Sequence, residues 1–228
     1  MPEASKTARK ELKAKTLLTE VLRMKFFQGE DPAIPHLLVP SKSRVTLLLG
    51  ENASGKSFIR RLVHAMCSKH KVECIPLSME GRSAAGVPWK GLIYGAEEYR
   101  STGENSVSTV GTAFRTAEKR ADPHVLFFDE PDIGLSDSWA AGLGQKMARF
   151  CRKLPALTTA VYVVTHSRPL VEQLVAVKPN YLHVGTPTQE APQSLQEWLS
   201  RPILPRDPEE LKELSHQRFQ KIQALLQK

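Results

Sequence analysis

The sequence has no long apolar run and little cysteine. No stretch of the 228 residues approaches the roughly 20 apolar residues that a membrane-spanning helix requires. The first residues of the chain also lack the apolar core of a secretory signal peptide. The chain has three cysteines, Cys67, Cys74 and Cys151, an odd number without metal-site spacing. We therefore expect each of them to be a small residue of the core and not part of a disulfide or a metal site. These absences predict a cytoplasmic protein without disulfides or a membrane span.

Acidic residues are also in deficit. The chain has 32 Lys and Arg against 24 Asp and Glu, a formal charge of +8. Such a charge favours polyanions and suggests nucleic acid as a partner. Residues 1–25 are rich in Lys and Arg, and an apolar stripe of Leu12, Leu18, Val21 and Leu22 predicts a basic helical arm there. This arm suits nucleic acid, a membrane surface or a partner's groove, or simple packing on the domain.

A glycine-containing loop follows the apolar run Val45–Leu49. Its residues are Gly50, Glu51, Asn52, Ala53, Ser54, Gly55, Lys56 and Ser57. The spacing G-x-x-x-x-G-K-S after a strand and before a helical pattern is typical of a P-loop, whose backbone N–H groups surround phosphates. Lys56 is then expected to reach the β- and γ-phosphates, and Ser57 to offer its hydroxyl to Mg²⁺. The loop therefore predicts a nucleoside triphosphate site.

A second apolar run, Val125–Phe128, ends in Asp129, Glu130 and Pro131. Carboxylates at the end of a buried strand beside a P-loop are typical of a Walker B segment. Asp129 fits the role of a Mg²⁺ ligand through water. Glu130, one residue further, fits the role of the general base or polarising group that aligns the attacking water.

A third apolar run, Ala160–Val164, is followed closely by His166. The carboxyl ends of strands in an α/β sheet line its ligand crevice. We therefore expect His166 to bond the γ-phosphate or the attacking water.

Strand and helix patterns alternate along the central part of the chain, which predicts an α/β fold with a mainly parallel sheet between helices. The predicted strands are 44–49, 72–77, 125–128, 160–164 and 181–184, and the predicted helices are 58–69, 105–120, 138–153 and 170–175. The segment 25–28 is expected to start the sheet, with Phe26 or Phe27 available to stack on adenine. Residues 31–41 are expected to form a loop or an irregular edge.

These motifs, in this order, resemble the ATP-binding cassette class of P-loop ATPases, particularly its soluble, non-transporter branch. That branch includes the recombination-repair and chromosome-maintenance ATPases and compact phage and bacterial ATPases. The resemblance covers residues 44–185. It implies that His166 is the switch histidine and that residues 132–137 form the D-loop. The bound nucleotide is then ATP with Mg²⁺.

Residues 100–104, Arg-Ser-Thr-Gly-Glu, stand where the family has its Leu-Ser-Gly-Gly signature. Ser101, Gly103 and Glu104 agree with that pattern, whereas Arg100 and Thr102 depart from it. In the family this segment meets the γ-phosphate bound by the other subunit, so the resemblance implies an ATP-dependent dimer in which Ser101 and Gly103 complete the opposing site. Taken alone, the segment suits a polar turn that caps a helix.

The chain also departs from the transporter ATPases. No glutamine occurs between Gln28 and Gln145, so the glutamine that transporter ATPases carry after their second strand is absent. Lys56 and Asp129 are only 73 residues apart in the sequence (129 − 56), which leaves room for only a reduced form of the helical subdomain of the transporters. Ser78 or Glu80 takes the place of the usual glutamine, and residues 78–100, with Trp89, are either a sensor of a partner or a simple loop. The short insert also excludes a long coiled coil between the two motifs.

Prolines and polar residues after Gly185 predict a linker, followed by a final amphipathic helix over residues 209–227. The sequence thus divides into a basic arm (1–25), a cassette-type ATPase domain (26–185) and a linker with a C-terminal helix (186–228).

We expect an ATPase that works as a nucleotide-closed dimer and serves a nucleic-acid, nuclease or other effector partner. Three alternatives are a transporter's ATPase subunit, a nucleotide-gated binding module with little turnover, and a small-molecule kinase.

Overall fold

The structure is a computed structural model that describes residues 14–77 and 101–227. The predictions for Leu12, for Ser78 and Glu80, and for the insert with Trp89 therefore lie outside the described residues. The helices are α1 (Ala14–Leu22), α2 (Lys56–Lys69), α3 (Thr102–Lys119), α4 (Asp137–Arg152), α5 (Arg168–Leu174), α6 (Leu195–Ser200) and α7 (Pro208–Leu226). The strands are β1 (His36–Val39), β2 (Val45–Leu49), β3 (Glu73–Leu77), β4 (His124–Asp129), β5 (Thr158–Val164) and β6 (Asn180–Val184).

The strands form one six-stranded sheet in the order β1-β6-β2-β5-β4-β3. Strand β1 pairs antiparallel with β6, and the other neighbouring strands pair parallel. This confirms the predicted α/β fold. Strand β5 lies between β2, which leads into the P-loop, and β4, which ends in Asp129. The carboxyl ends of these three strands therefore meet at one edge of the sheet.

Helices cover both faces of the sheet, because the central strands are apolar on both sides. Leu47 and Leu49 of β2 face one core, with buried side chains of α3, α4 and α5. Leu48 faces the other core, with buried side chains of α1 and α2. Strand β2 is buried along its whole length, which fixes the start of the P-loop firmly.

Most predicted helices and strands occur within three residues of their expected limits. The segment 25–28, which was expected to start the sheet, is where the prediction was wrong. Residues 25–27 form a 3₁₀ turn, and the first strand is β1, inside the segment expected to be a loop or an irregular edge. Phe26 packs edge-on against Phe58, and Phe27 against His36. Both phenylalanines are buried in the core, so neither is available to stack on adenine.

Helix α1 packs on α2, and Leu18, Val21 and Leu22 of its predicted apolar stripe are buried there. Lys69 and His70, at the end of α2, contact Glu20 of α1. Residues 14–22 thus share a core with the central domain, which is the packing role considered among the alternatives for this segment.

The C-terminal helix α7 contacts the rest of the chain mainly through its second half. Arg218 donates to the carbonyl oxygens of Ala33 and Gly185, and Lys221 pairs with Asp31. Residues 203–217 of this region are exposed. Across residues 14–77 and 101–227, no helix combines the length and the apolar character needed to cross a membrane.

Candidate functional site

The loop between β2 and α2 curls tightly against the end of β6. A Cβ atom on Gly50 would lie 2.3 Å from the carbonyl oxygen of Val184, so only glycine fits there. Gly55 ends the loop in the left-handed region at the N-cap of α2. The first amides of α2 lack helical partners and lie at the positive end of the helix, as a phosphate site requires.

Lys56 is folded back over this loop. Its Nζ donates to the carbonyl oxygens of Gly50 (3.0 Å) and Glu51 (2.7 Å) and lies 3.3 Å from Ser54 Oγ. Burial lowers the pKa of Lys56 to about 8, while the charges of Glu130, Glu51 and Asp129 oppose that shift. The ammonium group is thus held inside the loop, within electrostatic reach of Glu130 and Asp129.

Asp129 ends β4 and pairs with Arg60, whose Nε lies 3.3 Å from Asp129 Oδ2. Arg60 stands one turn after Lys56 on α2. Arg60 was not among the predicted site residues, although its spacing from Lys56 places both side chains on one face of the helix. The structure thus adds Arg60 to the candidate site.

Glu130 follows in the left-handed backbone region, with φ of +50°. Its N–H donates to the carbonyl oxygen of Val164 on β5 (2.9 Å). Its Oε1 lies 3.7 Å from Nε2 of His166, which follows β5. Because β4 and β5 are parallel neighbours, the side chains of Glu130 and His166 come together at the carboxyl ends of these strands.

The side chain of His166 is partly buried, and its Nε2 atom is shielded from solvent. Burial, and then the charge of Lys56, lowers the pKa of His166 to about 4, so the ring is neutral near pH 7. Within residues 14–77 and 101–227, its buried Nε2 has no hydrogen-bond partner. Because such an atom is costly to leave unsatisfied, His166 is suited to bond a ligand in the crevice.

The predicted D-loop position is linked to the strand that carries His166. Thr165 Oγ1 donates to Asp132 Oδ1 (2.7 Å) and accepts from the N–H of Ser167 (2.9 Å). These bonds fix the chain on both sides of His166.

Ser101 and Gly103 have roles within the chain itself. Ser101 caps α3: its Oγ accepts from the N–H of Glu104, whose carboxylate accepts from the N–H of Ser101. Gly103 is buried, and a Cβ atom on it would lie 2.7 Å from the carbonyl oxygen of Gly134. The helix begins at Thr102 rather than near Asn105 because of this cap. Contact of Ser101 and Gly103 with an opposing nucleotide stays a prediction.

The other loop residues differ in exposure. Glu51, Asn52 and Ser57 are exposed, Ala53 is intermediate, and Ser54 is buried. Ser57, in the first turn of α2, is therefore accessible to a cation.

Residues after β6 complete the site and were missed by sequence reasoning. Gly185 approaches Ser54 closely, with 2.4 Å from an added Cβ to Ser54 Cβ. Arg201, just after α6, has its Nη2 3.7 Å from Glu51 Oε1. Glu51, His166 and Arg201 line a cleft of about 860 Å³ together with His183 and Arg206. An arginine among the prolines of the tail forms no sequence motif that could have revealed this role of Arg201.

The site fits a nucleotide with a divalent cation. The loop ends at the N-terminus of α2, where helix amides can bind an anion, and Lys56 Nζ is bonded to the loop carbonyls. Among the described residues, no group of three or more His, Cys, Asp or Glu side chains could hold a metal ion. A cation would therefore depend on Ser57, Asp129 and the phosphates, the ligand set that suits Mg²⁺.

The chain matches no protein-family model and no curated protein. Among solved structures it is similar to the crystal structure of Cdc6p from Pyrobaculum aerophilum, with a TM-score of 0.37 and 13% identity. The likeness covers 61% of this chain and 38% of that one. The fold and the site described above follow from the strand order and the loop geometry alone.

Proposed function

We propose that this chain binds ATP with Mg²⁺ and hydrolyses it to ADP and phosphate. The observation that carries the proposal is the convergence of Lys56, Glu130 and His166. Oε1 of Glu130 lies 3.7 Å from Nε2 of His166, and the charge of Glu130 acts on Lys56, whose ammonium group is held inside the loop. A cation, a carboxylate and a neutral imidazole thus lie within electrostatic reach of one another beside the loop.

The loop amides and Lys56 would bind the phosphates. On binding, Nζ of Lys56 would exchange its bonds to the Gly50 and Glu51 carbonyls for phosphate oxygens. Ser57 and Asp129 would hold the cation, so Arg60 would have to share or release Asp129. The bound Mg²⁺ would supply positive charge that offsets the charge on the phosphates.

Glu130 and His166 would position the water molecule that attacks the γ-phosphate. Glu130 would orient the attacking water and accept its proton, because phosphoryl transfer depends chiefly on positioning and charge stabilisation. His166, neutral and with an unsatisfied Nε2, would bond the γ-phosphate or that water. The hydrogen bond from the N–H of Glu130 to the carbonyl oxygen of Val164 joins the chain at Glu130 to the strand that precedes His166, which keeps the two side chains near each other.

We place the chain in the soluble branch of the ATP-binding cassette class and propose a cytoplasmic, nucleotide-closed homodimer. The order of motifs supports this class, and Ser101 and Gly103 would complete the site of the opposing subunit. Hydrolysis would reopen the dimer and time the action of a partner. The charge of +8 supports nucleic acid as that partner, and an effector or nuclease protein is the other candidate.

The test compares wild type, Glu130→Gln and Lys56→Ala in steady-state ATPase assays, with light scattering for mass and with or without duplex DNA. Glu118→Gln, an exposed residue of α3, is the matched control and should behave as wild type. Glu130→Gln should bind ATP, lose turnover by at least about 100-fold and accumulate as a dimer. Lys56→Ala should lose ATP binding.

Different failures have different meanings. Full turnover by Glu130→Gln would remove Glu130 from the chemistry. A wild type that binds ATP without hydrolysing it would be a nucleotide-gated binding module. A wild type that hydrolyses ATP but remains a monomer would contradict the cassette-type dimer.

A further inference from the structure

Arg201 belongs to the C-terminal segment, yet it lies beside the P-loop. Its Nη2 is 3.7 Å from Oε1 of Glu51, the residue after Gly50. It lines the cleft that also contains His166. The segment after β6 thus brings a positively charged side chain close to Glu51 and His166, where the γ-phosphate would lie.

The guanidinium group of Arg201 is held in place. Its Cζ lies 4.0 Å from the ring centroid of Trp198, and its Nη1 donates to the Trp198 carbonyl oxygen at 2.7 Å. Arg168, two residues after His166, donates to the carbonyl oxygen of Arg201. Trp198 is itself fully buried in the core. A cation fixed in this way loses little conformational entropy when it binds an anion.

The contact with Glu51 is one that a ligand can replace. The side chain of Glu51 is 55% exposed, and such solvated pairs contribute little stability. A phosphate carries more charge and accepts two parallel bonds from the guanidinium fork. The charge of Arg201 also contributes to the lowered pKa of His166, which places the two groups within electrostatic reach.

We propose that Arg201 contacts the γ-phosphate of ATP bound to its own chain and stabilises the charge that develops there during hydrolysis. This inference rests on the proposed ATPase function. Arg201 would leave Glu51 when ATP binds and donate to the γ-phosphate oxygens as the bond between the β–γ bridging oxygen and the γ-phosphorus breaks. ADP lacks that group, so Arg201 would distinguish ATP from ADP.

The test uses Arg201→Met in the 228-residue chain, because methionine keeps an apolar stem over Trp198 and removes the charge. Arg149→Met is the control for the loss of a positive charge, since Arg149 is an exposed residue of α4 and does not line this cleft. We expect kcat to fall by about 100-fold or more, by analogy with arginines that stabilise phosphoryl transfer. Affinity for a non-hydrolysable ATP analogue should fall roughly 10-fold, as for one lost charge-assisted contact. The affinity of Arg201→Met for ADP and its melting temperature should match those of wild type. All values for Arg149→Met should match wild type.

The inference and the proposed function fail in different ways. If wild type hydrolyses ATP and Arg201→Met does so equally well, the inference is overturned and the ATPase assignment stands. If wild type binds neither nucleotide, the proposed function fails. If wild type binds without turnover, the ratio of analogue to ADP affinity in Arg201→Met decides the inference. If Arg201→Met does not fold, Arg201→Lys replaces it, and an equal loss of ADP and analogue affinity would assign Arg201 a structural role only.

Discussion

Replacing Gly185 by alanine should disturb the P-loop from a position far away in the sequence. Gly185 has φ of +95°, and its N–H donates to the Pro35 carbonyl oxygen at 2.8 Å. An added Cβ would lie 2.4 Å from Ser54 Cβ and 2.7 Å from Ser54 Cα. These are loop atoms close to or within the backbone, so relief requires the P-loop itself to move.

The chain offers a control for the backbone part of this effect. Gly29 has nearly the same φ, +98°, and among the described residues nothing lies within 4 Å of its added Cβ. Left-handed backbone costs an alanine about 1–2 kcal/mol, which both variants share. Overpacking against Ser54 should add about 1–3 kcal/mol. We therefore expect Gly29→Ala to lose about 1–2 kcal/mol of unfolding free energy and Gly185→Ala about 2–5 kcal/mol.

The assay is urea unfolding of both variants and wild type, followed by nucleotide titration of each folded protein. Gly185→Ala should also lose affinity for ATP and ADP, because the amides of the displaced loop no longer converge on the phosphates. Gly29→Ala should bind both as wild type does. Equal unfolding free energies for the two variants, or unchanged nucleotide affinity in Gly185→Ala, would refute this account of the contact.

Two further predictions concern the cap of α3 and the buried histidines. Ser101→Ala should lower the unfolding free energy by about 1 kcal/mol in urea titration, whereas Ser101→Asp, which keeps a capping oxygen, should restore it; unchanged stability in Ser101→Ala would contradict the capping role. Burial lowers the pKa of His183 to about 4, below the ordinary value of 6.5, so its neutral form stabilises the fold above pH 6.5 and this contribution, roughly 3 kcal/mol at most, is lost as the pH falls toward 4. Melting temperature between pH 7 and pH 4.5 should therefore depend less on pH in His183→Asn than in wild type, and identical slopes would show that His183 is not the cause.

The motifs were readable because each depends on neighbours in the chain. The loop from Gly50 to Ser57 combines its own backbone requirements with an adjacent strand and helix, and all are local. The same holds for the run that ends in Asp129 and for the run before His166. Parallel strands place their carboxyl ends together, so the meeting of Glu130 and His166 followed from two correctly predicted strands.

The segment before β2 could not be read in this way. Phe26 and Phe27 form a short apolar pair, which suits a strand and a buried turn equally well. Strand β1 exists because it pairs antiparallel with β6 at the sheet edge. The pairing of an edge strand depends on which strand lies next to it in the folded sheet, and the sequence near β1 does not contain this information. Strand β1 also has only four residues, too few to show the alternation of apolar and polar residues that identifies a strand.

The sequence by itself determined the P-loop, the two carboxylates, the histidine and the α/β alternation, since these follow from local backbone geometry and periodicity. The tertiary structure alone decided that Arg60 pairs with Asp129, that Gly185 lies against Ser54 and that Arg201 reaches Glu51. The last two contacts join residues more than a hundred positions apart, across the ends of neighbouring strands and a folded-back tail. These two contacts form only after folding has brought distant parts of the chain together, so no pattern of neighbouring residues predicts them.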